Sequence, residues 1–196
     1  MSAVAADLAV SGLGMTGLRV MGLAGAFGVG LVFVHAGLSK LLHRDVLPGV
    51  IANYRLLPDA LVAPVAAVLP WGELVLGLAL LAGGPPLAVV PALVLLGLFA
   101  VAMAVNIARG RRSIDCGCGR SQLRQMLGWP LVVRNIALMA LVALRLPAAL
   151  PSAGFELATA IVGGVSLFVL YLLFNAIAAL AVSPVAARVN AGIKRR

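Results

Sequence analysis

The sequence predicts an all-α, polytopic membrane helix bundle with about five transmembrane helices. Three observations carry the prediction. Of 196 residues, 63% are hydrophobic and only 11% are charged, whereas a soluble domain carries about 45–50% apolar and about 25% charged residues. The mean hydropathy is +1.13, so too few polar side chains exist to cover a water-facing surface. The apolar residues fall in runs of about 20, the length a helix rising 1.5 Å per residue needs to cross about 30 Å of hydrocarbon.

The first helix is expected at Leu18–Leu38. Residues 1–17 hold Asp7 and no Lys or Arg, so the basic start of a cleaved signal peptide is missing and this helix is expected to be retained. Its Gly22, Gly25, Gly28 and Gly30 present a small-residue face, which lets helices approach closely in lipid, where packing drives association. Residues 39–60 form a polar loop long enough for a short interfacial helix, with Tyr54 as an interface anchor. The second helix is expected at Leu61–Ala82. Pro64 and Pro70 lie inside it and predict a kink before Trp71 or a broken first turn. Gly83-Gly84-Pro85-Pro86 is a tight-turn sequence. The remaining helices are expected at Leu87–Ala108, Leu131–Leu146 and Leu157–Val182. Residues 1–182 are expected to form one bundle domain, and residues 183–196 a basic cytoplasmic tail.

The formal net charge is +9, and its distribution gives an orientation. Lys40, Arg44 and Arg55 fall in the first loop. Arg109, Arg111, Arg112, Arg120 and Arg124 fall in the third. Arg188, Lys194, Arg195 and Arg196 fall in the tail. With five crossings these segments share one side, and the other side holds Arg19 and Arg145. Cytoplasmic loops carry the excess of Lys and Arg, so the N-terminus is expected outside, and the C-terminus and third loop in the cytoplasm. Arg134, about one turn into the fourth helix, is placed to snorkel back to the basic side. No basic face with interleaved aromatics exists, which argues against nucleic-acid binding.

Two features could carry chemistry. The first is Asp115-Cys116-Gly117-Cys118-Gly119, which holds both cysteines of the chain. Thiols one residue apart can close a small, strained and readily reduced disulfide. Flanking arginines favour the thiolate and Asp115 opposes them. The same pair could hold Cu(I), or be two inert small residues in a turn. Two thiols are too few for a zinc site. The second feature is Glu73, about a dozen residues into the second helix. A carboxylate at that depth is costly unless paired or protonated. His35 and Lys40, near the inner end of helix one, are the candidate partners. A Glu73–His35 contact requires Pro70 to displace helix two. Glu73 reads as an interhelical polar clamp or as a site of proton or quinone chemistry. Asn106, Asn135 and Asn175 read as interhelical hydrogen bonds. Trp71 and Trp129, with the methionines Met103, Met126 and Met139, read as packing or interface residues.

The runs VFVHAGLSKLLHR (32–44), NYRLLPDALVAPVAAVLPWGELVLGLALL (53–81) and RGRRSIDCGCG (109–119) resemble the methylamine-utilisation MauE family, which sits with the DoxX-like membrane proteins. The resemblance covers roughly residues 20–145. It implies a four-helix DoxX-like core within a multi-helix inner-membrane protein, beside a thioredoxin-like MauD-type partner. The implied role is processing, transport or maturation of the methylamine dehydrogenase β-subunit, a periplasmic protein rich in disulfides. The family motif falls on Lys40, Glu73, Asp115, Cys116, Gly117 and Cys118. Many relatives carry Phe after the second cysteine, where this chain has Gly119-Arg120. Three functions follow as expectations: a maturation factor acting by thiol–disulfide exchange at Cys116 and Cys118, a non-enzymatic scaffold or transport component, and a Cu(I)-handling protein. With two cysteines, a thiol relay across the membrane is not internal to this chain and needs a quinone or a partner thiol.

Overall fold

The computed structural model describes residues 3–111, 127–146 and 154–181. Asp115, Cys116 and Cys118, and the tail at 183–196, lie outside the described residues. Within them the chain is helical: α1 (Ala3–Leu42), α2 (Leu47–Tyr54), α3 (Asp59–Leu81), α4 (Pro86–Ala108), α5 (Trp129–Ala143) and α6 (Gly154–Ala181). The first loop does hold a short helix, α2. Helix one is much longer than the expected Leu18–Leu38, because no proline or cap interrupts it between Ala3 and Leu42. Four helices, α1, α3, α4 and α6, are long and apolar enough to cross a membrane. The chain is therefore a multi-pass membrane helix bundle.

Helix α3 does not break at its prolines. It runs continuously through Pro64 and Pro70, as helices in lipid can when neighbouring groups satisfy the freed carbonyls. Its buried residues are Val62, Ala66, Pro70, Glu73, Gly77 and Leu80, spaced by four or three residues and so forming one face. The opposite stripe, Val68, Trp71, Val75 and Leu78, is exposed. Large apolar side chains pointing outward on α3, α4 and α6 are the reverse of a soluble protein's surface and suit hydrocarbon as solvent.

The turn after α3 follows from its glycines. Gly83 N–H bonds to the Leu80 carbonyl at 3.2 Å and Gly84 N–H to the Ala79 carbonyl at 3.3 Å, the Schellman pattern. Both glycines have positive φ, 111° and 59°, where a side chain would be strained. Pro85 and Pro86 then open α4, since proline is tolerated in a first helical turn. The same end-pattern recurs after α4 at Gly110, with φ 75°.

Helix α1 is the hub, packing on α3, α5 and α6. A Cβ on Gly25 would lie 2.5 Å from the Leu141 carbonyl, and one on Gly22 would lie 2.8 Å from that of Leu144. The register 22-to-144 and 25-to-141 makes α5 antiparallel to α1. Gly30 meets Gly77 and Gly37 meets Pro70, so α3 is antiparallel too. Gly163 meets Ala24, and Gly28 meets Gly164 and Leu167, so α6 runs parallel to α1. The small-residue face of helix one is thus divided among three neighbours.

Helix α5 has 15 residues, a rise of about 22 Å, and is too short to span hydrocarbon as a helix alone. The segment around it nonetheless runs the length of the bundle. Leu127 and Leu131 pack with Ile107, Met103 and Tyr54 at one end, and Arg145 donates from Nε to the Gly83 carbonyl at 3.0 Å at the other. At that second end Arg19 also pairs with Glu156 at 3.8 Å. Glu156 lies in the first turn of α6, where the helix dipole favours an anion.

These close contacts predict that Gly25→Leu lowers the stability of the detergent-solubilised protein by about 1–3 kcal/mol through overpacking against the α5 backbone. Gly72, whose added Cβ would meet nothing within 4 Å, is the control. Gly72→Ala is expected to stay within about 0.5 kcal/mol of the parent, with thermal unfolding reading both.

Candidate functional site: a buried ion pair beside an apolar cavity

The deepest charge in the described structure is Glu73, 1% exposed. Its place follows from the α3 stripe: Pro70, Glu73 and Gly77 point the same way, toward α1. Gly37 abuts the Pro70 carbonyl, and Gly30 and Gly77 face each other. With no side chains between them, the two backbones approach closely on both sides of Glu73. Lys40, three residues beyond Gly37 on the same face of α1, then reaches Glu73. Its Nζ donates to Oε1 at 2.7 Å and to Oε2 at 2.8 Å. An ammonium has three donors, and the carboxylate takes two. The Nζ also lies 5.5 Å from the centroid of the Phe99 ring of α4, within cation–π range. Burial of either ion alone would cost several kcal/mol, and the short two-point contact offsets that cost.

His35 goes elsewhere. It lies five residues before Lys40, which at 3.6 residues per turn rotates it by about 140°. Its ring packs edge-on against Phe168 of α6, centroids 5.8 Å apart. Phe168 stacks on Tyr171 at 6.4 Å, and the Arg134 guanidinium sits 5.0 Å from the Tyr171 centroid. Arg134 also donates to the Asn175 side-chain oxygen. Arg134 therefore finds partners on α6 in addition to any reach toward the interface, and Asn175 makes the expected interhelical bond. Asn106 differs from expectation. It is fully buried, yet its described bonds are local, to the Ala102 carbonyl at 3.0 Å and from Arg111 at 3.3 Å.

The structure thus brings Lys40 and Glu73 together and turns His35 to a second cluster between α1, α5 and α6. Phe99 was not singled out in the sequence, since a phenylalanine within an apolar run carries no distinguishing signal. The segment with Asp115, Cys116 and Cys118 joins Arg111 to Leu127. Leu127 packs with Ile107 and Tyr54, at the same end of the bundle as α2.

Beside the ion pair is a cavity of 470 Å³ between α2, α3 and α4, with Lys40, Phe99, Tyr54, Leu69 and Ala102 among its lining. Leu47, Val50 and Ile51 of α2 line one side of it, and Val65 of α3 with Leu95 and Val105 of α4 line the rest. Leu56 and Leu57, in the turn after α2, also line it. Apart from Lys40 and the Tyr54 hydroxyl, the side chains that line it are apolar.

Fold and site define a class: a multi-pass helical membrane protein with a charge pair sealed between its first two long helices. The methylamine utilisation protein MauE family model matches residues 18–148, which include the ion pair and the Cys-Gly-Cys segment. Methylamine utilization protein MauE of Paracoccus denitrificans is 45% identical over 72% of this chain and 78% of its own length. Its namesake in Paracoccus versutus is 41% identical over 71% and 77%. That of Methylophilus methylotrophus is 42% identical over 74% and 78%. No solved structure matches the chain. The chain belongs to the MauE family.

The pair predicts a specific pattern of stability. Lys40→Met should cost about 3–5 kcal/mol, because it strands the Glu73 carboxylate in the bundle. Lys40→Met combined with Glu73→Leu should recover most of that loss. Unfolding of these two variants and of Glu73→Leu alone, in one detergent, measures the coupling. Strict additivity of the two single changes would show that the contact contributes nothing.

Proposed function

We propose that this chain is a membrane factor for processing, transport or maturation of the methylamine dehydrogenase β-subunit, supporting disulfide formation by exchange at Cys116 and Cys118. The observation that carries the reading is family membership across residues 18–148, a span that contains both cysteines of the chain. The bundle supplies a rigid frame for the loop, because both of its anchors, α4 and α5, pack on each other.

In the exchange a thiolate of a thioredoxin-like MauD-type partner, which takes its electrons from the client thiols, attacks the Cys116–Cys118 disulfide, and a mixed disulfide forms. The partner's second thiolate resolves it, leaving the partner disulfide, which oxidises the client, and the Cys116/Cys118 dithiol. The dithiol returns its two electrons and two protons to a quinone. Asp115 tunes the pair by opposing thiolate formation. The positive-inside orientation puts the loop opposite a periplasmic client, so the partner thiols carry the client's electrons between the two faces. The setting is the bacterial inner membrane, with the N-terminus outside and the C-terminus in the cytoplasm.

Cys116→Ser and Cys118→Ser are each expected to abolish client disulfide formation while the level of this protein persists. Thiol trapping of the β-subunit from cells growing on methylamine measures it. Normal client disulfides in both variants would overturn the exchange and leave a scaffold or transport role. An impermeant thiol reagent applied to intact cells is expected to leave both cysteines unlabelled, and to label them once the membrane is opened.

A further inference from the structure

The cavity beside Lys40 combines three properties. Its walls are apolar side chains from three helices, Leu47, Leu69 and Leu98 among them. Its volume of 470 Å³ falls in the range of about 300–1,000 Å³ typical of small-molecule sites. It also holds one donor of high strength. The Lys40 ammonium gives two of its three N–H groups to Glu73, and Phe99, a wall residue, flanks it at 5.5 Å. Among the described residues the third N–H has no oxygen partner.

The charge state narrows the occupant. Lys40 and Glu73 together are neutral, so an anionic head placed against Lys40 would also meet the Glu73 carboxylate. A cationic head would meet the ammonium. A neutral head with a carbonyl acceptor suffers neither penalty and takes the third N–H as a charge-assisted bond. Phe99 and Tyr54, both in the wall, offer rings against which a flat head can stack. An apolar tail fits the leucine and valine walls, and the exposed Leu98 and Val101 beside it lead to the lipid-facing surface of α4.

We propose that the cavity between α2, α3 and α4 binds a membrane-soluble quinone, with a quinone carbonyl accepting a hydrogen bond from Lys40 Nζ. Glu73 positions the ammonium and cancels its charge. The site stands independently of the cysteine exchange: quinone binding by a Cys116→Ser variant would support it whatever happens to client disulfides.

The test uses the full chain in lipid nanodiscs and a benzoquinone carrying a two-isoprene tail. Saturable one-to-one binding is expected, and an azido form of the same quinone should cross-link within residues 47–57 or 95–105. Ala102→Phe and Val65→Phe, both on the cavity wall, are each expected to weaken binding at least about tenfold, as filled pockets do. The double variant Lys40→Gln with Glu73→Gln, which leaves no stranded charge, should weaken it by about tenfold through the lost charge-assisted bond. Thermal unfolding identifies which variants are folded, and the folded ones decide. Non-saturable partitioning would overturn the proposal, as would unchanged affinity in a folded cavity-filling variant. Equal displacement by a diacylglycerol of similar tail length would assign the cavity to lipid instead.

Discussion

The Lys40–Glu73 pair is the constraint on which the bundle depends. Neither ion is tolerable alone in an interior without water. The 2.7 Å contact therefore fixes the register of α1 against α3. Hydrophobic packing by itself specifies register weakly in lipid, because one apolar surface is as well solvated as another. A charge pair with one correct partner removes that ambiguity. The glycines at 30, 37 and 77 make the pair reachable by letting the two backbones close up.

From that register the rest of the architecture follows. Helix α1 uses separate glycine positions for α5, α3 and α6, so it sits enclosed while α6 shows most of its surface outward. Each end of the bundle is then tied, one by polar contacts and the other by apolar packing. Arg145 to Gly83 and Arg19 to Glu156 hold one end. At the other, Ile107, Leu127 and Tyr54 pack together, where the loop with the cysteines departs from α4. The short α5 matters here: it closes the bundle against α1 and α4 and carries Arg134 to α6.

The two proposals concern different places. The proposed exchange uses the thiols of the Cys-Gly-Cys loop, and the ion pair with its neighbouring cavity has the buried charge and the space. Electron transfer from a two-cysteine protein needs an acceptor outside its own thiols. A lipid-facing pocket is where an acceptor dissolved in the membrane would arrive. The two sites are separable in experiment, because one is made of thiols and the other contains none.

Composition and run length alone determined that this chain is a membrane helix bundle, because a 63% hydrophobic sequence cannot make a water-soluble surface. They also placed the core of α3 and α4 to within a few residues, since proline and glycine punctuation marks their ends. Glu73 stood out for the same reason: a carboxylate amid an apolar run is costly wherever the helix turns. What the sequence left open was its partner. His35 and Lys40 were both close enough along the chain, and only the rotation of α1 fixed by Gly37 and Gly30 against α3 sent Lys40 to Glu73 and His35 to Phe168. The continuity of α3 was likewise decided by tertiary structure: Pro70 lies in its buried face against α1, and the helix runs on through it. Phe99 and the cavity were invisible until the helices were assembled, since an empty space between three elements belongs to none of their sequences.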